Sequence, residues 1–414
     1  MMSKNSQLIL ITNTFPYGPG EQFLETEIVY LAKTFKKVMI IPMKITGHNR
    51  QVPENVEVFI AHKKKSHTKT KAFILSIFSI IFWQEIIEKP KILVRLSSLK
   101  LLIGTIGLAK NVFKIINSKV ADGSITINNA VVYSYWLRPS AVLAIFLSKK
   151  YKTNKNISRA HGGDLYENRR KDGYLALRKY IFKNTDLICT VSENGAKYLK
   201  EKHNLPDNKI LLSRLGVKDL GFKTKTNKIR DSFNLVSCSF LNPVKRIDLI
   251  IGALDKFSRS NPHVNVTWNH LGGGWDEERL VNIANTLPNQ VSFKFWGSLK
   301  NSEVIDFYMK NTIDLFINVS SSEGIPVSMM EAQNCGIVIA GTNVGGVSEI
   351  VNDENGFLLS ADPTLDEITF VFKNAYNNKR EMEAKKINSW ANWQCHYSAE
   401  KNYIEFINGV LLKT

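Results

Sequence analysis

Cysteine is scarce in this sequence and follows no pattern. Cys189, Cys238, Cys335 and Cys395 lie far apart with no CxxC pair, which argues against both a disulfide framework and a zinc site. Cys238 and Cys335 fall in or beside apolar runs and read as small buried hydrophobes in a reducing compartment. Long hydrophobic runs are missing as well. The longest, Ala72–Trp83, falls short of the roughly 20 residues that a membrane-spanning helix needs. Met1–Ile11 lacks the apolar stretch of a signal peptide. The expectation is a chain that is neither exported by a visible signal nor membrane-spanning. Acidic residues are outnumbered, with 37 Asp and Glu against 55 Lys and Arg and a formal charge of +18. Such a surplus favours an anionic partner: nucleic acid, an anionic membrane or a phosphorylated substrate. The absence of a helix-turn-helix, zinc-finger or basic-aromatic RNA motif turns the reading away from nucleic acid.

What is present is a repeated βαβ grammar. Leu8–Thr12, Val38–Pro42, Val56–Ile60, Val131–Tyr135, Ile157–Ala160 and Leu187–Val191 read as buried strands separated by amphipathic segments. That pattern predicts a mostly parallel sheet covered on both faces. After a polar stretch at 218–230 the grammar restarts with Leu235–Phe240, Val264–Leu271, Val291–Trp296, Asp314–Val319 and Ile337–Gly341. At 414 residues the chain is too long for one ordinary core. The division expected is an N-terminal domain 1–217, a linker 218–230, a second domain 231–388 and a C-terminal helical segment 389–414 packing back on the first. Two doubly wound domains facing across a cleft would present ligand sites at the carboxyl ends of their strands.

The segment 63–119 stands apart, with a dozen Lys or Arg against two acids, Glu85 and Glu88. Lys63, Lys64, Lys65, Lys69 and Lys71 directly precede Ala72–Trp83. Clustered cations beside Ile, Phe and Trp suit an interfacial helix on an anionic membrane. The alternative is a solvated basic loop followed by a buried core helix.

The sharpest stretch is Ser320 to Ala332, SSSEGIPVSMMEA, which follows a strand. Gly324 makes a tight turn and Pro326 suits the start of a helix. Glu323 sits on the loop and Glu331 lies more than a turn into the helix, so both can face one ligand from different depths. Free N–H groups of Gly324, Ile325, Pro326-adjacent Val327 and their neighbours would attract phosphate. Two hydroxyl acceptors and a diphosphate cradle are what a sugar nucleotide requires. Further loops after strands are Ser239–Arg246, Ser158–Tyr166 and Thr14–Phe23, with Gly18 and Gly20 in the last. Gly273 and Gly274 either bound a nucleotide pocket or simply shape a loop.

Glu323 and Glu331, with seven residues between them, are followed by Cys335–Ala340, Val344–Ile350 and Asn355–Phe357. In that context the chain resembles the retaining glycosyltransferases of GT-B fold, specifically glycosyltransferase family 4. The resemblance is strongest beyond residue 130 and thinnest across 45–125. It implies a nucleoside-diphosphate sugar as donor substrate, no further cofactor, no metal and no covalent glycosyl-enzyme. It places Glu323 against the donor sugar, Glu331 at the ribose, and Lys245 at the departing diphosphate. Where the family commonly carries an Arg, five residues before the Lys, this chain has Phe240. Arg246 is either its substitute or a surface residue. His161, in the element His161-Gly162-Gly163-Asp164, would contact the donor sugar, and the alternative role for Asp164 is to cap the next helix. The loop with Gly18 and Gly20 would lie against donor diphosphate and acceptor, or be a plain turn.

The function expected is transfer to a lipid-linked or oligosaccharide acceptor in bacterial surface-polysaccharide synthesis, such as capsule or lipopolysaccharide. The work would be done by a cytoplasmic protein, peripheral on the inner face of the membrane, with no nucleic acid involved. The alternatives are a nucleotide-sugar epimerase of the same fold and a noncatalytic sugar-nucleotide or glycan-binding protein.

Overall fold

A computed structural model of the chain describes residues 7–18, 20–61, 69–224 and 231–412. Of the positions named above, 1–6, Pro19, 63–68, the Lys69 side chain, 225–230 and 413–414 lie outside the described residues. Two compact units emerge: residues 1–214 with 400–414, and residues 215–399.

The first unit holds β1 (Gln7–Thr12), β2 (Lys37–Pro42), β3 (Val56–Val58), β4 (Val131–Ser134), β5 (Lys155–Ala160), β6 (Leu187–Thr190) and β7 (Ile210–Leu212). They form one parallel sheet in the order β3-β2-β1-β4-β5-β6-β7. Apolar residues run without interruption along β1 because both faces are covered. Ile9 and Ile11 enter one core with the helices Leu96–Ala121 and Pro139–Lys150. Leu8 and Leu10 enter another with the helix Leu24–Thr34 and residues Phe406–Leu411. Each such fully buried Leu or Ile is worth about 1.5–3 kcal/mol.

The second unit repeats the architecture with β8 (Ser232–Cys238), β9 (Asn265–Leu271), β10 (Val291–Phe295), β11 (Leu315–Asn318), β12 (Ile339–Thr342) and β13 (Gly356–Leu359). The order is β10-β9-β8-β11-β12-β13, again parallel. In each sheet the strand order reverses beside the first strand, between β1 and β4 and between β8 and β11. Such switch points open a crevice at the carboxyl ends of the strands.

Three expectations are corrected. Residues 218–224 are part of the second unit rather than a loose linker. They close the end of the helix Val327–Asn334, where the Lys218 carbonyl accepts from Asn334 Nδ2 at 2.7 Å and Thr224 N donates to the Cys335 carbonyl at 2.8 Å. The segment 389–414 is not one element. The helix Lys379–His396 runs through its start and stays in the second unit, where Ser389 Oγ donates to the Ile337 carbonyl at 2.8 Å. Only residues from 400 onward belong to the first unit. The apolar run Ala72–Trp83 is two helices, Lys69–Ile77 and Ile80–Glu88, bent by 77°. The break falls at Phe78 and Ser79, where Ser79 N donates to the Ser76 carbonyl in a tight turn. No single helix among the described residues is long and apolar enough to cross a membrane.

Candidate active site

Glu323 and Lys245 meet at the β8/β11 switch point. Lys245 Nζ lies 2.5 Å from Glu323 Oε1, and Asn318 Nδ2 donates to the same oxygen at 3.2 Å. Asn318 ends β11 and Glu323 is buried, so the carboxylate is held from its own strand and from the loop after β8. Those loops are locked together: Ser321 N donates to the Val244 carbonyl at 2.8 Å, and Thr342 Oγ1 at the end of β12 donates to the Ser320 carbonyl at 2.6 Å.

Gly324 leads into the helix Val327–Asn334, with Ile325 buried and Pro326 as its N-cap in extended conformation. Pro326 therefore stands one residue ahead of the first helical position expected for it. Among the described residues, the N–H groups of Gly324, Ile325, Val327 and Ser328 have no protein acceptor. Together they make the positive end of an eight-residue helix. The helix ends because Gly336 adopts φ +67°, with Gly336 N donating to Gln333 O and Ile337 N to Ala332 O.

Glu331 lies inside this helix and is only 8% exposed. Asn301 Nδ2 donates to its Oε1 at 2.6 Å. Burial pushes the carboxyl up to about 7, and the Asn301 hydrogen bond opposes that rise. Glu323 and Glu331 thus occupy different depths of one element.

Gly345 sits hard against Glu323. Its φ is +58°, a Cβ there would lie 1.9 Å from the Glu323 carbonyl oxygen, and Gly346 N donates to the Gly324 carbonyl at 2.7 Å. Gly273 is near Ser298, and a Cβ on Gly274 would strike the Leu241 carbonyl at 2.2 Å, so this triple glycine brings β9's loop onto β8's. Arg246 is committed elsewhere. Its guanidinium donates to the carbonyls of Val319 (2.6 Å), Ser320 (3.2 Å) and Ala361 (2.9 Å) and to Asp362 (2.7 Å). It clamps the β11 loop, which corrects the expectation of a donor-binding Arg246. Phe240 is 53% exposed and brings no charge.

In the first unit, His161 follows β5 and lies in an aromatic box. Ring centroids stand 4.3 Å from Trp136, 4.9 Å from Tyr135 and 5.4 Å from Phe23. Neither ring nitrogen has a partner, and the residue is buried. Burial, reinforced by the charges of Arg159 and Arg138, holds the imidazole well below the usual histidine range, hence neutral. Asp164 fixes this corner by accepting from His161 N at 2.7 Å and from Leu137 N at 2.6 Å. Arg159 is fully buried in an ion pair with Glu27 at 3.3 Å, with Tyr133 OH and Tyr135 OH also donating to that carboxylate.

The loop carrying Gly18 and Gly20 makes its close approaches to protein. A Cβ on Gly18 would meet Thr46 at 2.7 Å, and the Gly20 carbonyl accepts from Arg50 Nη2 at 2.5 Å. The amides of Asn13, Thr14 and Phe15 all donate to the Glu21 carboxylate, at 2.9, 2.7 and 2.7 Å, and Trp136 Nε1 reaches it at 2.5 Å. The first part of this turn therefore spends the amides of Asn13, Thr14 and Phe15 on Glu21, while Gly18 N donates to the His48 carbonyl at 3.0 Å.

The structure brings Glu323, Lys245, Gly324, Ile325, Pro326, Val327 and Glu331 together in one unit, and groups His161 with aromatic residues in the other. Asn318, Asn301, Glu21, Trp136 and Phe23 escaped sequence reasoning. Glu21 alone carried a local signal, since it sits a few residues beyond a glycine-rich turn.

Comparison with known proteins bears on the family and the fold. Residues 222–389 match the family of glycosyl transferases group 1. The Escherichia coli O-antigen biosynthesis glycosyltransferase WbnH is 28% identical over 228 residues, 54% of this chain and 61% of that protein. The chain thus matches about three fifths of the length of that curated relative. Anabaena HepE, solved with UDP and glucose, superposes with a TM-score of 0.64 at 14% identity, over 98% of this chain and 99% of that one. Sucrose-phosphate synthase from Thermosynechococcus elongatus gives a TM-score of 0.69 at 13% identity, over 98% of both chains. At those identities the structures establish the fold, GT-B.

Proposed function

We propose that this chain, whose residues 222–389 match the group 1 glycosyl transferases, moves a sugar from a nucleoside-diphosphate donor to a lipid-linked saccharide with retention at the anomeric carbon. The observation that carries this reading is the Lys245–Glu323 contact at a switch point, above the unpartnered amides of Gly324, Ile325, Val327 and Ser328. A diphosphate entering there meets one cation and the positive end of a helix. As the glycosidic C–O bond breaks, negative charge grows on the departing phosphate oxygen, and these fixed groups stabilise it without reorganising. Glu323, released from Lys245 on one side, orients the sugar's hydroxyls. Glu331 accepts from the ribose.

The membrane supplies the acceptor. Phe73, Ile74, Phe78, Ile80, Trp83, Ile87, Leu93, Val94 and Leu96 are all between 48% and 84% exposed, a density of apolar side chains that a water-facing surface rarely carries. Of the two acids in this segment, Glu85 is buried and Glu88 pairs with Lys179 at 3.0 Å. The charge left to the surface is positive, as an anionic inner leaflet requires. Synthesis of O-antigen by the relative WbnH fits an acceptor of this kind.

The test pairs labelled UDP-sugars with a lipid extract of bacterial membranes. Label should move into the organic phase with wild-type chain and stay in water with Glu323→Ala. Unchanged turnover in that variant would sink the site assignment. Interconversion of the donors without acceptor would identify an epimerase instead.

A further inference from the structure

A cavity of about 680 Å³ opens in the first unit at the ends of β1, β2 and β4, against the helix Leu96–Ala121. Its size is that of an ordinary ligand pocket. Its charge is not ordinary. Lys44, Lys100, Arg138, Arg170 and Arg178 all reach its wall, and no Asp or Glu lines it. Arg170 is paired with Asp172 at 3.1 Å. Lys44, Lys100 and Arg138 have no carboxylate partner among the described residues. Arg178 is 2% exposed and gives Nη1 to the Leu137 carbonyl at 2.7 Å and Nη2 to the Asp164 carbonyl, while its Nε has no partner. Pro139 and Ser140, the first turn of a twelve-residue helix, add a positive helix end to the same wall.

So many cations around one space repel one another. Burial, with the neighbouring Arg138 charge, pulls the Arg178 guanidinium down to about 10. An anion relieves that repulsion and satisfies the buried Nε. The remaining wall is mostly apolar, with Ile45, Leu101 and Leu108 beside the neutral Asn13, Thr46 and Thr105, and it includes Ala72. Ala72 belongs to the helix whose next residues, Phe73 and Ile74, are half exposed. Phosphate and hydrocarbon recognition thus adjoin.

We infer that this cavity binds the phosphate end of an amphiphilic phosphate ester, with its hydrocarbon leading toward the exposed apolar helices. The inference rests on the lipid-linked acceptor proposed above and names where the carrier's phosphate sits.

Gly104 offers a clean block. It lines the cavity, and a Cβ added there meets nothing within 4 Å, so Gly104→Phe fills the space without striking the backbone. The probe is geranyl diphosphate, titrated into the full chain with UDP saturating so that the donor site is already filled. The expected result is a rise in melting temperature with geranyl diphosphate, with inorganic diphosphate binding at least tenfold more weakly. Gly104→Phe and the double variant Lys44→Glu/Lys100→Glu should each weaken geranyl diphosphate at least tenfold and leave the UDP shift unchanged. No binding to wild-type chain, or equal binding to both variants, overturns the assignment. Inorganic diphosphate binding as tightly as the geranyl ester overturns the amphiphile and assigns the cavity to free phosphate. Loss of UDP binding with geranyl diphosphate binding intact would overturn the donor reading and support this one.

Discussion

Replacing Glu331 with Gln should stabilise the second unit at pH 8 and flatten its dependence on pH. Glu331 is 8% exposed, and burial lifts its carboxyl from the ordinary 4.5 to about 7. Between those two values the native state holds a proton that the unfolded chain has released. Stability therefore falls as pH rises through this window, with no penalty below about 4.5 and the full penalty above about 7. The gap is worth about 3 kcal/mol, at about 1.4 kcal/mol per pH unit. Gln keeps the shape and an amide oxygen to accept from Asn301 Nδ2, but it carries no charge to desolvate. Urea unfolding followed by tryptophan fluorescence at several pH values from 5 to 8 reads the difference. Other carboxylates titrate in both proteins and cancel in the comparison. The variant should match wild type near pH 5 and exceed it by about 3 kcal/mol at pH 8. Parallel stability curves would refute the argument. Ribose hydroxyls donating to this carboxylate favour its ionised form, so UDP should stabilise the wild type more at pH 8 than at pH 6.

Two other perturbations follow from close contacts. Gly345→Ala forces a side chain at φ +58° into the Glu323 carbonyl; a loss of about 3 kcal/mol in thermal unfolding is expected, together with weakened UDP binding. Arg159→Met leaves the buried Glu27 carboxylate without its cation and should cost about 4 kcal/mol in denaturant unfolding, whereas adding Glu27→Gln should recover much of that loss.

The strands most legible in the sequence are those whose neighbours bury both faces. β1 and β4 read as unbroken apolar runs because they stand at the middle of their sheet. β7 and β13 escaped notice because they are short and only partly covered: Ile210, Leu211 and Leu212 are half-buried, and so are Phe357 and Leu358. The Glu323 and Glu331 pair was legible because strand, turn and helix place both by local spacing. Asn301 was not, since it reaches Glu331 from a separate helix 30 residues away in the chain. Arg246 misled for a related reason. Its charge pointed to a ligand, and only the tertiary structure brings the Val319, Ser320 and Ala361 carbonyls to it. In the glycine-rich first loop the amides of Asn13, Thr14 and Phe15 turn toward Glu21, a residue at φ 58° whose carboxylate no local spacing assigned to them.

The return of residues 400–414 to the first unit has a bearing on how the chain is made. Phe406 lies 4.6 Å from the Arg159 guanidinium, over the buried pair with Glu27, and Ile407, Val410 and Leu411 complete the same apolar face. On the ribosome, residues 7–214 emerge long before these do. Until residue 411 has followed, that half of the protein carries an ion pair and a sheet face still open to water, while the whole of 215–399 is already free to close. Within this stretch the residues 7–214 are thus translated before 215–399 yet completed after them, by the dozen residues that follow 399.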